Sequence, residues 1–218
     1  MSLEYIYNQK KNRCYFSTAR KEILPYLPKK LLRVLEIGCG EGATLAYLKD
    51  IGVATWTCGV DLHKDSLQKA KESGVDVALC GNVEELDCLN HMPKFDAILC
   101  LDVLEHLVDP WIVIKKISQL LTYKGVILAS IPNVQNIRAI APLICGSWEY
   151  RDCGILDSGH LRFFTRKSAI RLMESGGLSV DFVGNNIERH WLPRALNLLT
   201  IGFFSRFVTV QYIIRAHK

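Results

Sequence analysis

The fold is decided by the run VLEIGCGEG at positions 34–42, which is followed at once by ATLAYL at positions 43–48. A short apolar segment ends in three glycines at alternate positions, and residues of mostly high helix propensity come next. This order predicts a strand, a tight glycine turn and a helix. Glycine permits positive φ and lets backbone approach a ligand, while the N-terminus of the following helix attracts a negative group.

A second apolar run, WTCGV at positions 56–60, ends in Asp61, nineteen residues after Gly42. A carboxylate at the tip of a strand can accept hydrogen bonds from both hydroxyls of a ribose. The turn and this acid together predict a site for a cofactor that carries adenosine. Gly38, Gly40 and Ala43 also satisfy the dinucleotide fingerprint G-x-G-x-x-G/A, so the glycines alone leave a dehydrogenase open.

The flanking residues distinguish these classes. Glu36 precedes the glycines, and the block FDAILCLDVLEH follows at positions 95–106. In this order and spacing, over roughly residues 33–131, the blocks resemble motif I and the fourth-strand motif of class I S-adenosylmethionine-dependent methyltransferases. The resemblance implies an α/β fold: a Rossmann-like seven-stranded sheet with its last strand antiparallel, helices on both faces and a lid insertion after the fifth strand. It implies S-adenosylmethionine as cofactor and S-adenosylhomocysteine as product.

The same resemblance assigns cofactor contacts to four segments of the chain. Glu36 is expected to face the cofactor's ammonium group or to order the loop, and Asp61 to bind the ribose or to cap the next helix. Asn82 stands where the family usually has an acid, and its carbonyl can accept a hydrogen bond from the adenine amino group. The full set is Glu36, Gly38, Cys39, Gly40, Gly42, Asp61, Leu62, Asn82, Val83, Leu101 and Asp102.

Apolar runs alternate with helical patterns along the chain, as βαβ units require. Strands are predicted near 33–37, 56–60, 75–80, 95–100, 125–131, 178–185 and 207–214. Helices are predicted near 15–27, 43–51, 64–73 and 109–121, with another that starts at Thr165 and ends at Gly176.

These elements predict a single methyltransferase domain over residues 1–218. It would carry an N-terminal helical cap over 1–32, a substrate lid insertion over 132–165 and a second insertion over 190–206. Polar residues and a glycine interrupt the apolar stretch 196–214, and a spanning helix needs about 20 apolar residues, so we expect no transmembrane segment.

Composition sets two further expectations. The net charge of +5 comes largely from basic residues before position 34, which predicts either a solvated basic face or an anionic substrate. The eight cysteines include no C-x-x-C pair, and several end apolar runs, so we expect reduced thiols and a cytoplasmic protein.

The predicted lid supplies the hypothesis about the methyl acceptor. Its segments NVQN at 133–136 and GILDSGHLRFFT at 154–165 resemble a bacterial methyltransferase subgroup that accompanies glycosyltransferases of surface-polysaccharide pathways. A sugar hydroxyl needs a base, and His160 is the candidate, oriented by Asp157. Arg162 would bind a carboxylate or phosphate. Trp148 and Tyr150 could stack on a sugar. Alternatively, these side chains only lock the lid onto the sheet.

Asp102, Glu105 and His106 form a stretch similar to ubiquinone-pathway O-methyltransferases, in which such residues can hold a divalent metal. We predict no metal for this chain and keep His106 as a catalytic candidate.

The predicted function is methyl transfer to an oxygen of a sugar, nucleotide sugar or other small metabolite. A nucleic-acid methyltransferase is the first alternative, although Ile131-Pro132-Asn133 differs from the N-P-P-Y motif that acts on base amines. A non-catalytic cofactor-binding domain is the second. We expect a small-molecule partner and no nucleic acid, and the oligomeric state is left open.

Overall fold

The computed structural model describes residues 18–85, 89, 92–187 and 204–218. Its seven strands are β1 (Leu31–Ile37), β2 (Ala54–Asp61), β3 (Val77–Cys80), β4 (Phe95–Leu101), β5 (Leu121–Pro132), β6 (Ser179–Ile187) and β7 (Thr209–His217). They form one sheet in the order β3-β2-β1-β4-β5-β7-β6. The first five strands are parallel, and β7 runs antiparallel to both β5 and β6. The predicted sheet with its antiparallel last strand is confirmed.

Helices connect and flank the strands. They are α1 (Ala43–Asp50), α2 (Lys64–Glu72), α3 (Pro110–Ser118), α4 (Ile137–Ile144), α5 (Arg166–Glu174) and α6 (Ser205–Val208), with 3-10 helices at Lys21–Tyr26 and Leu104–His106. Local sequence explains two of the starts. Asp109 accepts a hydrogen bond from the Ile112 amide, with proline at the first helical position. Thr165 and Ser168 form a capping box for α5.

Several predicted boundaries are wrong. The described part of the predicted helix 15–27 contains only a 3-10 helix over Lys21–Tyr26, with Pro25 inside it, and residues before 18 lie outside the described residues. The predicted helix 109–121 ends at Ser118 because β5 already begins at Leu121. The predicted lid contains α4, which the sequence does not indicate because Pro142 lies within it. Of the second insertion, 190–203 lies outside the described residues.

The sheet has a hydrophobic cluster on each face. Successive side chains of a strand point to opposite faces, and β4 shows this directly. Ile98 and Cys100 belong to one cluster, while Leu99 and Leu101 belong to the other. Because both faces are covered, the central strands read as continuous apolar runs, as parallel strands do.

Two buried asparagines fasten the segment after β5 to the start of β7. The side-chain nitrogen of Asn133 (Nδ2) donates to the carbonyls of Arg206 (2.7 Å) and Thr209 (2.8 Å). The side-chain nitrogen of Asn136 donates to the Thr209 carbonyl at 3.0 Å. Each side-chain oxygen accepts from a backbone amide two residues further on. The lid is therefore anchored by hydrogen bonds that satisfy buried backbone carbonyls. Across the described ranges, every helix is too short or too polar to cross a membrane.

Candidate functional site

A cleft of about 280 Å³ opens where β1 and β4 end, at the edge of the sheet where ligands bind in open α/β folds. Its walls come from the segment before β1, the glycine turn, the first turn of α1 and the end of β4. The lining residues are Thr18, Arg20, Glu36, Gly38, Cys39, Ala43, Thr44, Leu101 and Asp102. Five predicted cofactor-binding residues thus lie together: Glu36, Gly38, Cys39, Leu101 and Asp102.

The glycine turn is fastened to the end of β2. Gly38, Gly40 and Gly42 all have positive φ, between 52° and 73°, which glycine adopts without strain. The Gly38 amide donates to the Val60 carbonyl (2.8 Å), and the Gly40 amide donates to Asp61 Oδ2 (2.8 Å). A Cβ at Gly42 would lie 2.7 Å from a methyl of Val75. It would also lie 2.8 Å from Cβ of Ala70 in α2, so close packing at the start of α1 requires glycine here in addition to the positive φ.

Arg20 and Asp102 form an ion pair in the cleft, with 2.5 Å between Arg20 Nη1 and Asp102 Oδ2. Burial acts to lower the pKa of the Arg20 guanidinium, but the Asp102 and Glu22 carboxylates outweigh it and raise that pKa. Asp102 also accepts hydrogen bonds from Ser130 Oγ (3.0 Å) and from the Gln211 amide nitrogen. Its φ of 56° is the one positive value outside glycine among the residues described. The end of β4 is thus held by the segment before β1, by β5 and by β7.

Glu36 is 4% exposed, and its Oε2 has no hydrogen-bond partner within the described residues. Burial raises the pKa of Glu36 from an ordinary value of 4.5 to about 8, although the Arg20 guanidinium acts to lower it. The carboxyl group lines a cleft that also holds a guanidinium. An ammonium group bound beside Glu36 would favour ionisation of its carboxyl, so such a cleft can receive a ligand that carries both charges.

Glu36→Gln is expected to remove a pH dependence from the stability of the cofactor-free protein. With a pKa near 8 when folded and about 4.3 when unfolded, Glu36 stabilises the fold fully below about pH 4.3. This contribution is lost as the pH rises through about 8. We therefore expect the wild-type melting temperature to fall between about pH 5 and pH 9 more steeply than that of the variant.

Differential scanning calorimetry over this pH range measures the effect. Glu72→Gln, on the exposed surface of α2, is the matched control and should follow the wild type. Parallel curves for Glu36→Gln and wild type would contradict the raised pKa of Glu36.

The four residues predicted for the adenosine end lie at the end of β2 or shortly after β2 and β3. Asp61 is 5% exposed and accepts from the amides of Gly40 (2.8 Å) and His63 (2.9 Å). Asn82 Oδ1 accepts from the Glu84 amide (3.1 Å). Leu62 is 43% exposed, whereas Val83 is 5% exposed and belongs to the core. Asp61 therefore orders the glycine turn, and the ribose and adenine contacts of all four residues stay predictions.

Cys39 is 6% exposed within the turn. Burial, and after it the Glu36 carboxylate, raises the pKa of the Cys39 thiol. A thiol that keeps its proton is a poor nucleophile, so Cys39 serves as a small residue of the turn.

The lid brings His160 to the residues that follow β4. The Glu105 carbonyl accepts from the amides of Leu161 (2.8 Å) and Arg162 (3.0 Å). His160 Nε2 lies 3.9 Å from Glu105 Oε1, and the rings of His160 and His106 meet edge to face at 4.7 Å. The predicted catalytic residues His160 and His106 are therefore neighbours, although 54 positions separate them in the sequence.

Backbone carbonyls orient both imidazoles. His160 Nδ1 lies 3.0 Å from the Ile155 carbonyl oxygen, and His106 Nδ1 lies 2.8 Å from that of Gly159. The sequence predicts Asp157 as the group that orients His160. In the structure the Asp157 carboxylate accepts from the Gly159 amide at 2.7 Å and shapes the turn that carries His160.

Glu105 lies beside the two histidines with 1% of its side chain exposed. Neither carboxylate oxygen has a hydrogen-bond partner in the part of the chain that the structure describes. Burial, followed by the nearby Asp102 carboxylate, raises the pKa of Glu105 well above its ordinary value.

The predicted substrate-binding residues are more peripheral. Arg162 donates to the Val108 carbonyl through Nε (3.1 Å) and Nη2, and its Cζ lies 5.8 Å from the centre of the Trp111 ring. Trp148 packs edge to face on Phe163 with ring centres 5.3 Å apart. Tyr150 is 57% exposed. Arg162 thus braces the loop before α3, and its predicted contact with an anion stays a prediction.

The metal set implied by the resemblance is not the set that lies together. One possible ligand atom from each of Glu105, His106 and His160 lies within 4.8 Å of the others. Asp102, the third member of the implied set, instead pairs with Arg20. His160 of the lid takes the place of Asp102 beside Glu105 and His106.

Sequence reasoning missed Arg20 and the pairing of Glu105 with His160. Arg20 is one of many basic residues in the N-terminal part of the chain, and nothing local marks it as the one that reaches Asp102, 82 positions away. Glu105 is visible in the fourth-strand block. That two histidines lie beside it, each held by a backbone carbonyl, depends on how the lid folds.

Comparison with known proteins agrees with this geometry. A family model described as a methyltransferase domain matches residues 8–181. A ubiquinone biosynthesis O-methyltransferase of Shewanella sp. is 29% identical over 119 residues, which are 53% of this chain and 49% of that protein. Its counterpart in Salmonella paratyphi A is 33% identical over 105 residues, covering 46% and 43%. The match therefore spans about half the length of these curated relatives or less.

Solved structures agree on the fold. A SAM-dependent methyltransferase from Archaeoglobus fulgidus superposes with a TM-score of 0.64 at 20% identity, covering 100% of this chain and 95% of that one. A methyltransferase from Thermotoga maritima, described as a possible histamine N-methyltransferase, gives 0.66 at 18% identity and covers both chains fully. The chain belongs to the methyltransferase domain family and has the class I fold of S-adenosylmethionine-dependent methyltransferases.

Proposed function

We propose that this chain transfers a methyl group from S-adenosylmethionine to an oxygen of a small metabolite, with a sugar or nucleotide sugar as the first candidate. The observation that carries the proposal is the position of His160: a buried imidazole, with Nδ1 against a backbone carbonyl, close to the end of β4, which lines the cleft. The likeness to ubiquinone biosynthesis O-methyltransferases supports oxygen as the methylated atom. The resemblance of the lid sequence supports a sugar.

The cleft fits the amino-acid end of S-adenosylmethionine. The Arg20 guanidinium would hold the cofactor's carboxylate, because a planar fork of donors suits a carboxylate. The unpartnered Oε2 of Glu36 would accept from the ammonium group. When bound, the cofactor supplies a methyl group on a positively charged sulfonium. The chain contributes alignment and a site from which water is excluded.

His160 is suited to take the proton of the acceptor hydroxyl. Because a carbonyl oxygen can only accept, the contact with Ile155 places the ring proton on Nδ1. Nε2 then carries the lone pair of the neutral ring, and a base needs such a lone pair. Asp157 stabilises the turn that positions His160, and the ring of His106 packs against the ring of His160.

Turnover with labelled S-adenosylmethionine tests the proposal. The protein is offered nucleotide sugars, free sugars, phenolic acceptors and total RNA, and transfer of the label is followed. We expect methylation of a small hydroxyl compound and only weak, salt-sensitive retention of RNA in a gel shift.

Two results would overturn the proposal. Label transferred only to RNA, together with a tight complex at physiological salt, would favour a nucleic-acid methyltransferase. Tight cofactor binding without turnover on metabolite pools would favour a non-catalytic domain.

A further inference from the structure

We propose that Glu105, His106 and His160 bind a divalent transition-metal ion, of the class represented by Zn²⁺, and that this ion joins the lid to the end of β4. The inference concerns binding, and only its use in catalysis rests on the proposed function. It replaces the set Asp102, Glu105 and His106 that sequence resemblance implies. The two sets differ in chemistry, because exchanging a carboxylate for an imidazole shifts preference from Mg²⁺ toward zinc-like ions.

Both histidines are prepared as neutral ligands. Their Nδ1 atoms contact the backbone carbonyls of Ile155 and Gly159 at 3.0 and 2.8 Å. A carbonyl can only accept, so each Nδ1 carries the ring proton and each Nε2 carries a lone pair. Metal-bound histidines are commonly oriented this way, with the other ring nitrogen donating to a carbonyl or carboxylate.

Glu105 supplies an independent indication of a ligand. Its side chain is 1% exposed, and neither oxygen finds a hydrogen bond among the residues that the structure covers. Leaving a buried carboxyl group without hydrogen-bond partners is costly even when the group keeps its proton. A cation bound beside Glu105 would replace that proton and give the carboxylate a partner, with the two imidazole nitrogens as further ligands.

The spacing is close to that of a bound set. Ligand atoms about 2.1 Å from a tetrahedral zinc lie roughly 3.4 Å from one another. The ligand atoms here lie within 4.8 Å, and His160 Nε2 is 3.9 Å from Glu105 Oε1. Small side-chain rotations would close the site. Backbone hydrogen bonds from the lid to the Glu105 carbonyl already hold the two segments together.

Three protein ligands leave a fourth position, which is the arrangement of zinc sites that act on a bound oxygen. A hydroxyl bound there has a lowered pKa and loses its proton more readily. His160 Nε2 can either take a proton or bind the ion. With the ion bound, the proposed methyl transfer stands with the ion, in place of His160, activating the acceptor hydroxyl, whose proton passes to water.

The experiment uses the whole chain, freed of metal with a chelator and then titrated with Co²⁺ and Zn²⁺. We expect one equivalent of Co²⁺ to bind and to give visible absorption typical of a four-coordinate site without thiolate bands. Zn²⁺ should displace it. Affinity should fall roughly 100-fold or more in Glu105→Gln and in His160→Gln. Mg²⁺ should compete poorly.

Control variants distinguish metal binding at this site from metal binding by exposed thiols or by a histidine elsewhere on the protein. Cys80, Cys145 and Cys153 are the exposed thiols among the described residues and could bind the same ions, so the triple variant with serine at these three positions should bind Co²⁺ like the wild type. His217→Gln is the matched control for the histidine and should also bind like the wild type. Binding of S-adenosylhomocysteine shows that each variant is folded.

The outcomes separate the two proposals. No stoichiometric metal, or binding that both Glu105→Gln and His160→Gln leave intact, overturns the metal site. Turnover of a hydroxyl acceptor in the chelated protein would then leave the proposed function standing with His160 as base. Stoichiometric metal without turnover on any hydroxyl compound would support the metal site and overturn the function.

Discussion

Arg20→Ala is expected to weaken binding of S-adenosylhomocysteine by about 100-fold, or ~2.7 kcal/mol. The guanidinium lines the cleft and already pairs with a carboxylate there, at 2.5 Å from Asp102. Removing it would take away the cation that the cofactor's carboxylate needs. It would also leave the Asp102 charge in the cleft, where it repels that carboxylate. Isothermal titration calorimetry measures the loss.

Two further variants make this prediction specific. Arg20→Lys keeps the charge and loses the planar fork of donors, so an intermediate affinity is expected. Arg215→Ala removes an arginine that pairs with Asp181 at 2.8 Å and should bind like the wild type. A folded Arg20→Ala protein with unchanged affinity would remove Arg20 from the cofactor site.

His160→Ala is expected to slow methyl transfer by roughly 100-fold or more while S-adenosylhomocysteine affinity changes little. The imidazole lies with Glu105 and His106 and does not line the cleft in which we propose that the cofactor binds. The wild-type rate should rise with pH over the range in which an imidazole loses its proton, and this rise should vanish in the variant. Single-turnover kinetics with the acceptor found in the activity screen measure both effects.

A role confined to holding the lid predicts a different pattern. His160→Ala would then lower the melting temperature or acceptor affinity, and its residual turnover would keep the wild-type pH dependence. His160→Gln helps to distinguish the two, because its amide can still donate toward the Ile155 carbonyl but cannot take up a proton at neutral pH. Wild-type rates in the glutamine variant would contradict the role of His160 as base and also its role as metal ligand in turnover.

The sheet and the glycine turn could be predicted because their signals are local. Three glycines at positive φ follow an apolar strand, and Asp61 ends the next one. The early start of β5 could not be predicted, since Thr122, Tyr123 and Lys124 do not resemble a strand core. These three are half-buried or exposed at the start of β5, so their side chains need not be apolar.

The candidate site was predictable only in part. Side chains at strand ends, such as Glu36 and Asp102, are placed by the fold class itself. Arg20 and His160 reach the site from distant segments, and such contacts depend on the path of the chain. The sequence therefore indicates His160 as a candidate base, but it does not indicate that Glu105 and His106 lie beside it. One group that orients the His160 ring is the Ile155 carbonyl, which no side-chain pattern could reveal.

The location of β7 has a consequence for how the protein is made. β7 is the last of the seven strands along the chain, yet it lies between β5 and β6 and pairs with both. During synthesis the strand edges that it will cover stay open, and open edges are templates for pairing with other chains. The same strand carries Gln211 to Asp102. The chain can therefore cover these two strand edges and bring Gln211 to Asp102 only after residues 209–217 have left the ribosome.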